Sequence, residues 1–127
     1  MRFGYTILYV GDVSASLDFY ERAFGIKRRL IHESGQYAEL ETGATTLAFA
    51  DHDLAAQNLP DELRPGAALT QPSFEVCFVA DNVRAAYDKA REAGAEAISE
   101  PETKPWGQEV AYVRDPDGVL VELATPA

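Results

Sequence analysis

The sequence is poor in the residues that build disulfides and transition-metal sites. Its 127 residues include one cysteine, Cys77, and two histidines, His32 and His52. A single cysteine excludes an internal disulfide and favours a reducing compartment, so we expect a cytoplasmic protein. No apolar run reaches the roughly 18 residues that a membrane span needs, and the first residues lack the pattern of a secretory signal. We therefore expect no membrane partner.

Basic residues are also scarce relative to acidic ones. Lys and Arg number 11 against 21 Asp and Glu, which gives a formal net charge of −10. This balance argues against a nucleic-acid partner, because phosphate binding needs a basic surface. It favours a cationic ligand or serves only solubility, and charge alone does not separate these two interpretations. Hydrophobic residues make up 46% of the chain, enough for the core of one domain.

The first part of the chain predicts a strand, a helix and three further strands. Residues 3–10 alternate and are rich in β-forming side chains. Asp12 then precedes apolar residues at helical spacing, and Gly25 predicts the helix end. Strands are predicted next at 26–33, 36–41 and 45–50. The segment 51–72 contains three prolines and is interpreted as a linker or a flap over a site.

The second part repeats this order. Residues 73–80 predict a strand, Asp81 opens a helix that Gly94 ends, and the final three strands are predicted at 95–99, 109–114 and 119–124. A hairpin turn is predicted between the last two strands, at Asp115-Pro116-Asp117-Gly118. The repeat matches four residues at an offset of 69: Val10, Asp12, Arg22 and Gly25 with Val79, Asp81, Arg91 and Gly94.

A module of about 60 residues buries little core alone, so we expect the two modules to pair. The sequence therefore predicts an α+β fold of two tandem βαβββ modules that form a curved mixed sheet. We expect one domain, with the first module at 1–51, the linker at 52–72 and the second module at 73–125.

Several segments resemble one known family. YVGDVSASLDFYERAFGI is similar to the first module of the vicinal oxygen chelate superfamily, and DPDGVLVEL is similar to the end of its second module. This superfamily includes glyoxalase I, bleomycin-resistance proteins and ring-cleaving dioxygenases. The resemblance implies the fold, but the family contains both enzymes and metal-free binding proteins, so fold does not settle function.

The resemblance also implies where a metal would bind. Metal-dependent members carry His, Glu or Gln on the first and last strand of each module. The matching positions here are Tyr5, Ala48, Glu75 and Glu122, and only Glu122 retains the family residue. Because transition metals favour imidazole ligands, we expect no tightly bound one. The expected cofactor is therefore none, with a weakly held divalent cation at Glu75, Glu122 and Tyr5 as the alternative.

Strand alternation supports the same positions independently. Glu75 and Glu122 fall opposite the bulky apolar residues of their strands, so both are predicted to face the concave side. Two converging carboxylates repel, and a bound cation, a basic side chain or protonation would relieve the repulsion. An aromatic wall beside them is predicted from the shared face of the first strand, formed by Phe3, Tyr5, Ile7 and Tyr9.

Other side chains have competing interpretations. Trp106 either stacks on a flat ligand or covers the edge of the core, and Gln108 either binds a ligand or lies exposed in its loop. Tyr112 is predicted to line the same pocket. His32 and His52 could form a paired site with Glu39, but surface or core positions are favoured, and Cys77 is predicted to be small and buried. The cluster Lys27-Arg28-Arg29 is predicted to be a solvated strand edge.

Three functions follow from this set. The first is a metal-independent protein that binds a small cationic or aromatic molecule in a concave pocket, lined by Tyr5, Ile7, Tyr9, Ala48, Trp106, Gln108 and Tyr112. The second is a divalent-metal-dependent lyase, isomerase or dioxygenase relative that uses Glu75 and Glu122. The third is a metal-free acid/base enzyme with the same two catalytic carboxyls. The resemblance further implies a homodimer.

Overall fold

The computed structural model describes residues 1–63, 65, 72 and 74–127. Its helices are α1 (Val13–Phe24), α2 (His52–Asn58) and α3 (Val83–Glu92), with a short 3-10 turn at Asp61–Leu63. Its strands are β1 (Tyr5–Val10), β2 (Arg28–Ile31), β3 (Tyr37–Leu40), β4 (Thr46–Asp51), β5 (Val76–Val79), β6 (Glu96–Thr103), β7 (Glu109–Arg114) and β8 (Leu120–Ala124). No described helix is long and apolar enough to cross a membrane.

The predicted α+β order of two βαβββ modules is confirmed. The chain divides into two compact units, one formed by Met1–Glu21 and Gly25–Ala67, the other by Arg22–Phe24 and Ala68–Ala127. Each unit contains a four-stranded mixed sheet, with strand orders β1-β4-β3-β2 and β5-β8-β7-β6. In both sheets the first and last strands of the module pair in parallel, and the other neighbours pair antiparallel.

In the first unit, α1 packs on one face of the sheet. Asp12 caps the helix by accepting a hydrogen bond from the Ala15 N–H at 3.0 Å. Gly25 ends it with φ of 70°, a conformation that side-chain-bearing residues adopt at a cost. Tyr20 of the helix is fully buried and contacts the Phe49 ring of β4 edge-on, with centroids 4.8 Å apart. Phe49 therefore faces the helix, and alternation places Ala48 and Ala50 on the opposite, open face.

The second unit is built in the same way. Val83, Tyr87 and Ala90 of α3 are buried, and the sheet residues Ala111, Val113, Val121 and Leu123 are buried with them. The predicted hairpin turn between β7 and β8 is confirmed: Asp115 Oδ1 accepts from the N–H groups of Asp117 and Val119, each at 2.9 Å. Gly118 sits in this turn with φ of 89°. The face of this sheet that bears Glu122 is consequently opposite α3.

One helix was not predicted, and one cap residue was predicted wrongly. The segment 51–72, interpreted as a linker or a flap, begins with helix α2; Asp51 caps it by accepting from Leu54 N–H at 2.8 Å. Residues 64, 66–71 and 73 lie outside the described part of the chain, and the linker or flap interpretation stays a prediction. Asn82, not Asp81, caps α3, since its side chain accepts from Ala85 N–H at 3.0 Å.

The repeat offset therefore differs along the module. The cap residues Asp12 and Asn82 are 70 positions apart, whereas the glycines after the helices, Gly25 and Gly94, are 69 apart. The predicted match of Val10 with Val79 fails as well, because Val10 is fully buried and Val79 is 67% exposed. An offset of 70 pairs Tyr5 with Glu75, which keeps both on the face away from the helix.

Candidate functional site

The open face of the second sheet carries a row of chemically reactive side chains. Cys77 on β5 pairs with Glu122 on β8, and Glu122 pairs with Tyr112 on β7. Residues directly opposite each other on neighbouring strands have Cβ atoms roughly 5 Å apart, so these three side chains are neighbours. Glu75 immediately precedes β5, two residues before Cys77, and alternation puts it on the same face.

The two predicted carboxyl groups do come together in this unit. A hydrogen bond with Glu75 raises the pKa of Glu122, burial raises it further, and repulsion from the Glu75 carboxylate adds to the effect, bringing it to about 7. Glu122 is half-buried and Glu75 is exposed. A pKa near 7 means that Glu122 is protonated in a substantial fraction of molecules at neutral pH and can then donate to Glu75. Protonation is the third of the relief routes expected from the sequence.

The Cys77 thiol and the Tyr112 phenol lie on either side of Glu122. Burial, followed by the charges of Glu122 and Glu75, raises the pKa of the Cys77 thiol. The same causes in the same order raise the pKa of the Tyr112 phenol. The prediction that Cys77 is buried was wrong, because β5 is an edge strand and its outer face leaves the residue exposed. Both groups keep their protons at neutral pH, so the carboxyl pair holds the negative charge of this row.

The predicted aromatic wall lies on the open face of the first sheet. Tyr5, Ile7 and Tyr9 are 56%, 46% and 43% exposed, while the alternating residues Leu8 and Val10 are buried. Ala48 pairs with Ile7 on this face and is itself fully buried. Ala48, which was predicted to line the pocket, therefore lies beneath the wall and contributes neither surface nor a polar side-chain atom. Phe3, also predicted for the wall, is 71% exposed and precedes the strand.

A polar cluster on this face was not predicted. Arg29 Nη2 donates to Glu39 Oε1 at 2.9 Å and to Thr46 Oγ1 at 2.8 Å, and the Tyr37 hydroxyl donates to Glu39 Oε2 at 2.8 Å. These bonds hold the pKa of Glu39 below its usual range, with Tyr37 the larger cause and Arg29 the next. Burial and the bond to Glu39 raise the pKa of Tyr37 to about 12. The sequence signal was an Arg and a Glu on adjacent predicted strands. Alternation could not show that they share a face, because a bulge in β2 shifts the register at Arg29.

Trp106 and Gln108 form a fixed loop before β7. The Trp106 indole Nε1 donates to Gln108 Oε1 at 2.8 Å, and Gln108 Nε2 donates to the Thr125 carbonyl at 2.7 Å. Trp106 is 66% exposed, so it does not cover the core edge, and Gln108 is half-buried rather than exposed. The indole is thus held in place with its ring open to solvent.

The histidines do not form the paired site considered from the sequence. The ring Nδ1 of His32 accepts from Ser34 N–H at 3.1 Å within a turn, and His52 begins α2. Glu39 is bonded to Arg29 and Tyr37 instead. Within the described ranges no three His, Cys, Asp or Glu side chains form a metal-binding group. Since Ala48 has no donor atom either, the residues present do not fit a tightly held transition metal.

Comparison with known proteins gives the family. A protein named lactoylglutathione lyase from Escherichia coli O157:H7 is 29% identical over 129 residues, covering 97% of this chain and 91% of its own. The uncharacterized protein YraH of Bacillus subtilis (strain 168) is 27% identical over 117 residues, with 91% of each chain covered.

A solved structure has the same fold as this chain. A glyoxalase-related enzyme from Fulvimarina pelagi superposes with a TM-score of 0.81 at 21% identity, covering 99% of this chain and 88% of that one. At this identity the likeness shows the fold alone. The family description Glyoxalase/Bleomycin resistance protein/Dioxygenase superfamily matches residues 2–123. The chain therefore belongs to the glyoxalase/bleomycin resistance protein/dioxygenase superfamily, the vicinal oxygen chelate proteins.

Proposed function

We propose that this protein binds a small molecule with a positively charged group, and that the Glu75–Glu122 carboxyl pair is the site that receives the charge. The placement of both carboxyl groups on one face of the neighbouring strands β5 and β8, where their interaction raises the pKa of Glu122 to about 7, is the observation that carries the proposal. A cation placed between them replaces the shared proton and satisfies both carboxylates. The net charge of −10 also attracts cations over a longer range.

The surroundings of the pair suit an organic cation better than a metal. Tyr112 presents an aromatic ring on the strand next to Glu122, and Val79 adds apolar surface on the same face of β5. Aromatic rings attract organic ammonium groups through their negatively polarised faces. Only two carboxylates are available among the described residues of this row, so a metal would retain most of its water. The predicted homodimer, pocket and cytoplasmic location remain predictions.

Calorimetric titration at pH 8 with three matched compounds tests this function. Benzylamine carries the cation, benzyl alcohol is its neutral counterpart and benzoate carries the opposite charge. We expect benzylamine to bind most tightly and to lose about tenfold in affinity in Glu122→Gln and in Glu75→Gln, since each removes a charge-assisted hydrogen bond. Glu100→Gln, which changes an exposed carboxylate on β6, should bind as the wild type does.

The opposite results are equally clear. If benzylamine and benzyl alcohol bind alike, or if the two carboxyl variants bind benzylamine as tightly as Glu100→Gln does, the pair is not a cation site. Absence of any benzylamine binding in the wild type overturns the proposal as well.

The shared proton also favours a second function, acid/base catalysis without a metal. The ionised carboxyl of the pair removes a proton beside a carbonyl, and the protonated carboxyl donates to the carbonyl oxygen, which gives an enol. A pKa near 7 lets Glu122 serve in either direction at neutral pH. The relative named lactoylglutathione lyase supplies a first substrate to assay.

Turnover of lactoylglutathione separates this function from simple binding. We expect Glu75→Gln to abolish turnover while the affinity for the substrate stays within a few-fold of wild type. Assays with a chelator, and then with added Mg²⁺, Mn²⁺, Ni²⁺ or Zn²⁺, distinguish it from the metal-dependent alternative. Turnover that depends on an added metal would exclude the metal-free mechanism, and loss of binding together with turnover would point to binding alone.

A further inference from the structure

The open face of the first sheet has a guanidinium group that is held in place but only partly used. Nη2 of Arg29 makes both of its hydrogen bonds, one to Glu39 and one to Thr46. Both hydrogen bonds found for Arg29 among the described residues use Nη2 and none uses Nη1 or Nε, and the side chain is 33% exposed. A guanidinium carries five N–H donors in a rigid plane. Three of these donors therefore remain on a guanidinium whose position Glu39 and Thr46 fix.

A bulge in β2 produces this orientation. Arg28 pairs with Leu40 and Leu30 pairs with Glu39, so Arg29 is the extra residue between them. Bulges bend a strand and redirect a side chain, and they are common beside functional sites. Here the extra residue brings Arg29 to the open face, where Glu39 lies opposite Ala48. Arg28 instead contacts α1 through Asp18 at 2.7 Å.

An aromatic surface borders the same guanidinium. Tyr5 pairs with Thr46, the residue that accepts from Arg29, and Tyr5 as a whole is 56% exposed. Tyr37 donates to the second oxygen of Glu39, so both carboxylate oxygens are engaged and the ion pair is held from two sides. The combination of fixed N–H donors and an adjacent exposed ring matches a planar ligand that ends in an oxygen acceptor.

We propose that Arg29, fixed by Glu39 and Thr46 and bordered by Tyr5, is a recognition site for an aromatic carboxylate. The carboxylate accepts hydrogen bonds from the N–H groups of Arg29 that Glu39 and Thr46 do not engage, and the ring packs against Tyr5. This site lies in the first unit and does not depend on the carboxyl pair of the second. Glu39 competes for the charge of Arg29, so it lowers the affinity while it fixes the geometry.

NMR titration of the folded protein with benzoate tests the proposal, with benzyl alcohol as the neutral comparison. We expect saturable chemical-shift changes in the wild type. The affinity for benzoate should fall about tenfold in Arg29→Gln and stay unchanged in Arg28→Gln, which replaces the neighbouring arginine that contacts α1. Glu39→Gln should bind benzoate more tightly than the wild type, because the internal carboxylate no longer competes. A purely structural ion pair predicts no gain in Glu39→Gln.

Several results would overturn the site: no saturable benzoate shift in the wild type, equal binding in Arg29→Gln and Arg28→Gln, or equal binding of benzyl alcohol. Unfolding curves recorded on each variant establish that it is folded under the conditions of the titration. Benzylamine binding in Arg29→Gln reports on the carboxyl pair separately, so failure of one site is distinguishable from failure of the other.

Discussion

Arg28 and Arg29 are consecutive in the sequence, yet each binds a carboxylate on a different part of the first unit. Arg28 contacts Asp18 of α1 at 2.7 Å, whereas Arg29 contacts Glu39 of β3 at 2.9 Å. The extra residue in β2 is what separates their directions. The basic cluster expected to be a solvated strand edge is therefore divided between a helix contact and a polar network on the open face.

The carboxyl pair should make stability depend on pH in an identifiable direction. The folded-state pKa of Glu122, about 7, lies above the unfolded value of 4.5, so the folded protein binds more protons between these values. The associated stability is present at low pH and is lost as pH rises through 7. Because the group is only half-buried, we expect a loss of about 1–2 kcal/mol from pH 5 to pH 8.

Urea unfolding of Glu122→Gln across this range measures the effect. The variant lacks the titrating group. Its free energy of unfolding relative to wild type should therefore rise by about 1–2 kcal/mol from pH 5 to pH 8, while that of Glu100→Gln should follow the wild type. A constant difference between Glu122→Gln and wild type at all pH values would show that the pair does not share a proton.

Binding of an organic cation should also release a proton. Below pH 7 benzylamine must displace the proton on Glu122, so its affinity should rise by up to about tenfold per pH unit between pH 5 and pH 7 and then level off. Calorimetry in buffers of different ionisation enthalpy counts the protons released. Binding that is independent of both pH and buffer would contradict the linkage.

The thiol of Cys77 offers a reporter of the same pair. Its pKa is raised first by burial and then by Glu122 and Glu75, and the thiolate is the reactive form. We expect Glu122→Gln to accelerate modification by a disulfide reagent at pH 8 by a few-fold, because one source of the raised pKa is removed. Glu100→Gln is the matched control. An unchanged or slower rate in Glu122→Gln would mean that the carboxyl does not influence the thiol.

The helix caps give a test of local structure. Asp12→Ala and Asn82→Ala should each cost about 1 kcal/mol of unfolding free energy, since each removes an acceptor for an N–H of the first turn. Asp81→Ala, one residue earlier than the cap of α3, should cost much less. Equal losses in Asn82→Ala and Asp81→Ala by chemical denaturation would be inconsistent with the cap assignment.

The fold was largely predictable because its signals are local. Strand-forming runs and turn signals located the eight strands of the described residues, and the residues that begin and end α1 were identified from cap chemistry at Asp12 and Gly25. The exception, α2, is only 7 residues long and follows a strand without a break, so flanking prolines dominated the interpretation. Asp81 and Asn82 are both good cap residues, and only geometry decides which side chain reaches the helix.

The site was predictable only in part. Glu75 and Glu122 were identified from the family resemblance, and strand alternation supported them independently; their meeting follows from the parallel pairing of β5 with β8. The protonation state of the pair depends on burial and a hydrogen bond, which no sequence pattern carries. Arg29 was missed because a bulge adds one residue and reverses the face that alternation assigns to it.

The parallel pairing of first and last strands has a consequence for the order in which the protein is made. β1 finds its neighbour β4 only after residue 51 has been synthesised, and β5 waits for β8, which ends at Ala124. The first sheet can thus complete its hydrogen bonds while later residues are still being added. A chain released from the ribosome before Leu120 would lack β8, the strand that pairs with β5 in the described structure, and would leave β5 open to pairing with other chains.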